Sequence, residues 1–293
     1  MRKWLEYIPF LCIATLVRAL PRPWALRLGG GLGRLARHIQ VRRVEISRYN
    51  LHKALPEMSD QDVSSTISEM FEHLGISFID MLRVDQYSGQ QDIERYFEIN
   101  NKEHLSEALE LGRGCIGLSG HVGFWEAGSF FMPQLGFATG VVTKPMRNPL
   151  VDDYFSNIRR SNGNQIINSR KGARGILRSL QKNNAVCILL DQHLSGVGSV
   201  VAPFFGQPAH TTTIITQMAI RYQIPIVAAF SYRQPDNTYQ CHFGKMFMLE
   251  GDLSEDSILA NTTLLNQKME DGIRHNLSQW FWLHRRWRSC CKE

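Results

Sequence analysis

The sequence predicts an α/β fold: a mostly parallel central sheet flanked by helices, with a helical, membrane-associated cap at the N-terminus. Three observations lead there. The first third of the chain carries apolar residues at helical spacing among many arginines. After Asn100, short apolar runs alternate with amphipathic stretches, as crossover units around a parallel sheet require. The chain has 293 residues, with 43% hydrophobic and 20% charged, which is enough apolar material for a core and excludes a disordered chain.

Taken in order, Trp4 to Val17 is apolar apart from Glu6 and Tyr7, preceded by Arg2 and Lys3 and followed by Arg18. It is short for a membrane span, which needs about 20 apolar residues, and no small-residue cleavage site follows it. We expect an uncleaved anchor, spanning the bilayer or lying in its interface. Trp24 to Ile39 reads as an amphipathic helix whose Gly29, Gly30, Gly31 and Gly33 suit close helix packing and not a dinucleotide loop. Val41 to Leu55 reads as a basic helix stopped by Pro56. These helices form a first region, 1–55, ahead of an α/β domain, 56–293. Ser59 with Asp62 opens a long helix through Phe71, Leu74, Phe78 and Leu82.

Beyond Asn100, strands are expected at Cys115 to Leu118, Ala138 to Thr143, Gln165 to Ile167, Ala185 to Leu190, Ile226 to Phe230 and Tyr239 to Phe247. Helices are expected at Leu105 to Leu111, Phe124 to Leu135, Leu150 to Arg160, Gly172 to Gln181, Thr211 to Tyr222 and Asp256 to Leu277.

The net charge of +6 and pI of about 9.1 point to an anionic partner, whether nucleic acid, anionic lipid or an acidic carrier protein. Arginines beside an apolar helix favour anionic headgroups on a cytoplasmic face, and no nucleic-acid-binding motif accompanies them. Six cysteines, none in a Cys-x-x-Cys pair, lie mostly in apolar runs and read as buried thiols; Cys290 and Cys291 read as a solvated tail.

Chemistry concentrates in Cys115-Ile-Gly-Leu-Ser-Gly-His121-Val-Gly-Phe-Trp-Glu126, where a histidine follows a buried strand, the end at which α/β sheets bind ligands. Residues five apart on one helix point about 140° apart. His121 and Glu126 therefore meet only if His121 precedes a helix that begins near Glu126, and Gly120 and Gly123 permit that entry. A carboxylate there would fix the imidazole tautomer and stabilise the imidazolium formed on taking a proton from an alcohol; helix capping is the equally weighted alternative. Gly117-Leu-Ser119-Gly-His121 fails the nucleophile-elbow pattern at its last position. No His-Glu-x-x-His is present, and Asp191 with His193 lacks a third ligand, so no metal is expected.

His121 and Glu126 form an H-x-x-x-x-E signature close to the H-x-x-x-x-D of glycerolipid acyltransferases, and further blocks follow along the chain. They are Asn148-Pro149, Arg159-Arg160 ahead of Gly163, Leu190-Asp191-Gln192, Pro203-Phe204-Phe205-Gly206, Ala209 to Thr213, and Gln279-Trp280 through Trp282, His284, Arg285, Arg286 and Trp287. In these blocks the whole chain resembles the bacterial lipid A late acyltransferase family, within the lysophospholipid acyltransferase superfamily. The resemblance implies direct O-acyl transfer, without a covalent acyl-enzyme, from an acyl carrier protein or coenzyme A thioester to a hydroxyl of a phosphorylated glycolipid. It implies an inner-membrane location on the cytoplasmic face and no other cofactor.

In that reading His121 is the general base and Glu126 its partner. Arg159, or its neighbour Arg160, matches a family arginine that holds a phosphate or developing negative charge. Asp191 would orient an arginine or the thioester, and Gln192 would donate to the carbonyl. Phe204 and Phe205 suit either an acyl lining or the core. His284, Arg285 and Arg286 suit a phosphate or, with Trp280, Trp282 and Trp287 interleaved, a membrane-interface belt. Phe124 departs from the asparagine that the family often has before the tryptophan. The competing readings are a thioesterase or lipid hydrolase, transfer to another lysolipid, and a non-catalytic lipid-binding protein.

Overall fold

The computed structural model describes residues 2–87, 89–161, 163–169 and 172–288; Cys290 and Cys291 lie outside the described residues. A seven-stranded sheet runs in the order β1-β9-β8-β2-β5-β3-β4. Its strands are β1 (Phe97–Asn100), β2 (Cys115–Ser119), β3 (Thr139–Thr143), β4 (Gln165–Asn168), β5 (Ala185–Leu189), β8 (Ile226–Arg233) and β9 (Tyr239–Phe243). Every neighbouring pair is parallel except β8 with β9. Two further strands, β6 (Ser199–Phe204) and β7 (Gln207–Thr212), form a separate antiparallel hairpin. The α/β expectation holds, with the helical cap in front of it.

Strand chemistry explains how the sheet is covered. Side chains alternate between faces with period two. Ile116, Leu118, Val186, Ile188 and Ile226 occupy one face, in one core with residues of α9 (Gly172–Leu180), α10 (Ile214–Tyr222) and α11 (Glu255–His275). The opposite face carries small residues, Gly117, Ser119, Ala185, Cys187, Ala229, Ser231 and Cys241. Over it lie α6 (Glu103–Glu110), α7 (Ala127–Gln134) and α8 (Pro149–Ser161). Small side chains under a helix leave space, and a cavity fills it.

The cap comprises α1 (Arg2–Ala19), α2 (Arg22–Ile39) and α3 (Val41–Ala54), against α4 (Asp60–Met81). Ser59 caps α4, its hydroxyl accepting from the Asp62 N–H at 3.1 Å. The glycines work as expected for helix packing: a Cβ at Gly33 would lie 2.1 Å from the Phe71 carbonyl oxygen, and one at Gly75 would lie 2.2 Å from that of Gly29. Of the four α2 glycines, Gly31 alone faces open space. Arg22 pins the start of α2 through an ion pair of 2.8 Å to the fully buried Asp80, which also accepts from the Tyr87 and Tyr239 hydroxyls. No described helix is long and apolar enough to cross a membrane. However, α1 and α2 expose Trp4, Leu5, Ile8, Leu16, Trp24, Leu35 and Ile39.

Several boundaries differ from expectation. The helix expected from Phe124 begins at Ala127, because 120–126 is stitched to neighbouring segments. The helix expected from Thr211 begins at Ile214, because 207–212 pairs with 199–204. Strand β9 ends at Phe243, and strand β1 was not expected at all.

Candidate active site

Strands β2 and β5 lie side by side with Ser119 paired to Leu189. Two residues beyond each of these ends stand His121 and Asp191, so equal offsets bring imidazole and carboxylate together. Asp191 Oδ1 accepts from His121 Nδ1 at 2.9 Å, and its Oδ2 accepts from the His121 backbone N–H at 3.0 Å. The Trp280 indole N–H also donates to Oδ2, at 2.8 Å. Asp191 is 2% exposed and His121's side chain 21%. A carboxylate only accepts, so Nδ1 carries the proton and Nε2 keeps a lone pair.

The loop bearing His121 is held from two sides. Its Gly123 N–H donates to the Gln279 carbonyl at 2.7 Å, Phe124 N–H donates to Ser231 at 2.8 Å, and Phe281 N–H donates to the His121 carbonyl at 3.0 Å. Gly123 has φ of +59°, and a Cβ there would sit 1.8 Å from the Ser231 carbonyl oxygen. Only glycine fits. Phe124 is buried against Tyr239, with centroids 4.8 Å apart, so this departure from the family pattern serves as a core anchor.

Burial by itself would lower the His121 pKa, but the charge and hydrogen bond of Asp191, with a contribution from the Glu126 charge, raise it. For Asp191, burial pushes up, and the His121 charge with donors from His121 and Trp280 outweighs it, bringing the carboxyl to about 2. Each partner favours the other's charged form. The pair therefore adds stability above the ordinary Asp value, lost as pH falls towards 2. On the histidine side the contribution is complete below pH 6.5 and lost as pH rises through the raised value.

The spacing allowed Glu126 to partner the imidazole, but the structure has no hydrogen bond between them. The two Glu126 oxygens accept from Arg159, from Nε at 3.0 Å and from Nη2 at 2.7 Å. The Arg159 side chain is 9% exposed and that of Glu126 15%. Arg160 points to solvent and bonds Asn157, so Arg159 is the arginine facing the site. Gln192 joins His121: its amide nitrogen stands 3.4 Å and 3.3 Å from the two ring nitrogens.

Other expected contacts are absent for physical reasons. Phe204 and Phe205 are buried in the core against Trp280, and neither lines the cavity beside His121. Trp280, Trp282 and Trp287 are at most 3% exposed, which rules out an interfacial belt. Arg286 is wholly buried and bonds the His210 carbonyl and Thr211 hydroxyl, anchoring the β6–β7 hairpin rather than meeting a phosphate. His284 Nε2 accepts from the His193 N–H at 2.9 Å. Burial, aided by the nearby Arg286 and His121 charges and opposed by Asp191, lowers its pKa to about 4, so it brings no positive charge near neutrality. Arg285 is exposed beside Tyr49 and Arg288. Ser119 donates its hydroxyl proton to the Ala229 carbonyl at 2.7 Å and has no hydrogen bond to His121, so it is not set up as a nucleophile.

A cavity of about 110 Å³ extends from Trp125 and Glu126 beneath α7, floored by the small-residue face of β2, β3, β5 and β8. Its floor runs from Ala185 to Leu189 along β5, which is about 13 Å at 3.3 Å per residue. Burial pushes the Cys187 and Cys241 thiols in its wall up to about 12, which makes them inert lining. Three site features escaped the sequence reading: this floor, the Trp280 indole and the clamp at 279–281. The first was legible as alternating large and small residues in Cys-Ile-Gly-Leu-Ser and Ala-Val-Cys-Ile-Leu.

Comparison with known proteins bears directly on this geometry. Residues 1–289 match the family model for bacterial lipid A biosynthesis acyltransferases. The chain is 30% identical to a lipid A biosynthesis lauroyltransferase of Escherichia coli K12, over 98% of this chain and 92% of the relative. It is 26% identical to a palmitoleoyltransferase of the same organism over the same shares. It is also 24% identical to a lipid A biosynthesis acyltransferase of Haemophilus influenzae, over 98% of this chain and 91% of the relative. With a family-model match over residues 1–289 and 30% identity to one relative along nearly its whole length, the chain belongs to the bacterial lipid A biosynthesis acyltransferase family.

Proposed function

We propose that the protein transfers a fatty acyl chain from a thioester, on acyl carrier protein or coenzyme A, to a hydroxyl of a lipid A precursor at the cytoplasmic face of the inner membrane. The observation that carries this reading is the small-residue cavity ending at Glu126 beside the His121–Asp191 dyad. The donor chain lies in that cavity with its thioester carbonyl at the Trp125–Glu126 end. His121 Nε2 takes the proton of the acceptor hydroxyl, and the hydroxyl oxygen bonds to the carbonyl carbon. The tetrahedral intermediate then collapses, the carbon–sulfur bond breaks, and the imidazolium returns its proton to the departing thiolate. Asp191 stabilises that imidazolium throughout.

Arg159 keeps Glu126 fixed and offsets its charge, so the oxyanion does not form beside an unpaired carboxylate. The exposed apolar face of α1 and α2, with Arg2, Lys3, Arg27 and Arg34 on the same two helices, supports anchoring in an anionic interface without a span.

Purified protein, acyl thioester and lipid A precursor in mixed micelles test the reading by mass spectrometry. Acylated glycolipid is the expected product; free fatty acid formed equally with and without acceptor would contradict it. The cavity also sets chain length. Gly117 lies mid-floor, opposite Cys187 and Val227. Gly117→Phe should shift donor preference to chains several carbons shorter, since each buried methylene is worth about 0.8 kcal/mol. Unchanged preference between long and short thioesters would place the chain elsewhere.

A further inference from the structure

A second histidine is buried close to the loop that carries His121. His73, in the middle of α4, is 1% exposed. Its Nδ1 accepts from the Arg233 Nε–H at 3.3 Å, and its Nε2 stands 3.2 Å from the Ser77 hydroxyl, one turn along the helix. A guanidinium only donates, so in the neutral ring the proton sits on Nε2. The same ring hydrogen-bonds the backbone of Gly123, and that contact favours the protonated imidazole, so the Gly123 group is the accepting carbonyl. Burial, helped by the Arg233 charge, outweighs the contact and lowers the His73 pKa to about 3. His73 is therefore neutral near neutrality and holds rather than titrates.

These contacts close a circuit. The Gly123 N–H donates to the Gln279 carbonyl at 2.7 Å. The Gln279 side chain then pairs with both backbone groups of Arg233: its oxygen accepts from the N–H at 2.8 Å, and its nitrogen donates to the carbonyl at 2.7 Å. The Arg233 guanidinium reaches His73, and His73 returns to Gly123. Four segments meet here: the loop after β2, the C-terminal segment, the end of β8, and α4. The peptide joining Gly123 to Phe124 is thus held on both edges, its N–H by the Ser231 carbonyl at 2.8 Å and its carbonyl by His73. Glycine has no Cβ to restrict its backbone, so partners from outside must fix this turn.

We infer that His73 is a positioning residue for the transfer reaction: by holding the Gly123 carbonyl it fixes the turn between His121 and Glu126 and keeps the imidazole aimed at the acceptor hydroxyl. The inference rests on the acyl-transfer reading above and adds to it a contact from α4, the helix against which α2 packs.

Three substitutions separate positioning from packing. His73→Asn keeps an acceptor for Arg233 but ends short of Gly123; it strands no buried donor and is the variant expected to fold. His73→Leu removes both contacts, and His73→Gln keeps an acceptor together with a donor at the reach of Nε2. Circular dichroism and thermal melts identify the folded variants. With one acyl thioester and a lipid A precursor, kcat should fall at least about ten-fold in His73→Asn and His73→Leu, with both KM values within about two-fold of the parent. His73→Gln should restore most of kcat. Without substrate, hydrogen exchange of the 121–126 amides, read by mass spectrometry, should accelerate in the Asn and Leu variants while that of β5 stays unchanged. Parental kcat in a folded His73→Asn, a His73→Gln as slow as His73→Leu, or unchanged exchange at 121–126 overturns the proposal. A parent protein that acylates no lipid A precursor overturns the acyl-transfer reading instead, and the exchange rates alone then decide whether His73 holds the loop.

Discussion

His121→Ala should lower acyl transfer to the lipid acceptor by about 10³–10⁴-fold, with the protein folded and still bound to anionic vesicles. General-base catalysis typically supplies 10²–10⁴-fold, and the same imidazole also protonates the thiolate that leaves. A loss of that size corresponds to about 4–5.5 kcal/mol of transition-state stabilisation. The fold survives because Asp191 keeps two of its donors, the backbone N–H of residue 121 and the Trp280 indole. Single-turnover transfer of a labelled chain, read beside vesicle co-sedimentation, checks both parts. Parental transfer rates in this variant would remove the general base from the mechanism.

Arg159→Leu should be the most destabilising single change at the site. It leaves the Glu126 carboxylate, 15% exposed, without the guanidinium that binds both its oxygens. Breaking one side of a buried pair costs about 3–5 kcal/mol, and in a chain of this size that lowers the melting temperature by about 10 °C. The double variant Glu126→Met with Arg159→Leu should recover most of that stability, because apolar replacement of a buried pair is often neutral. It should not recover activity. Thermal melts and transfer assays on the two proteins separate the roles; a double variant that regains activity would make the pair purely structural.

The sheet was legible in the sequence because its inner strands are short apolar runs bounded by turn residues. The hairpin of β6 and β7 was not: Pro203 and Pro208 interrupt the strand pattern, and the turn places Phe205 at a φ of +51°, unusual for a bulky residue. Strand β1 contains Glu98 and Asn100, and its place in the sheet comes from pairing with β9, a contact no local pattern displays.

At the end of β2 the sequence predicts the histidine's position past a strand but not its hydrogen-bond partner. H-x-x-x-x-E spacing drew attention to the nearer carboxylate, whereas the imidazole's partner lies 70 residues away. The register contains the missing information: adjacent parallel strands put residues at equal offsets from their ends side by side, here His121 and Asp191. The burial of Arg286 and of the three tryptophans was not legible for a different reason. A tryptophan-rich stretch with arginine and histidine has the same composition whether it lies at a membrane or, as here, packs around a hairpin and clamps the loop bearing His121.

The proposed mechanism turns on Asp191 raising the basicity of His121. The most direct measurement is the pH dependence of kcat/KM for the parent and for Asp191→Asn. Burial alone lowers the imidazole pKa and the Asp191 charge raises it, so removing that charge must move the acid limb of the profile to lower pH. The plateau should fall by on the order of 10³–10⁴-fold, as when the orienting aspartate of a serine protease triad becomes asparagine. Glu126→Gln should move the limb in the same direction but less. An acid limb that stays in place in Asp191→Asn, or moves further in Glu126→Gln, would contradict the assignment.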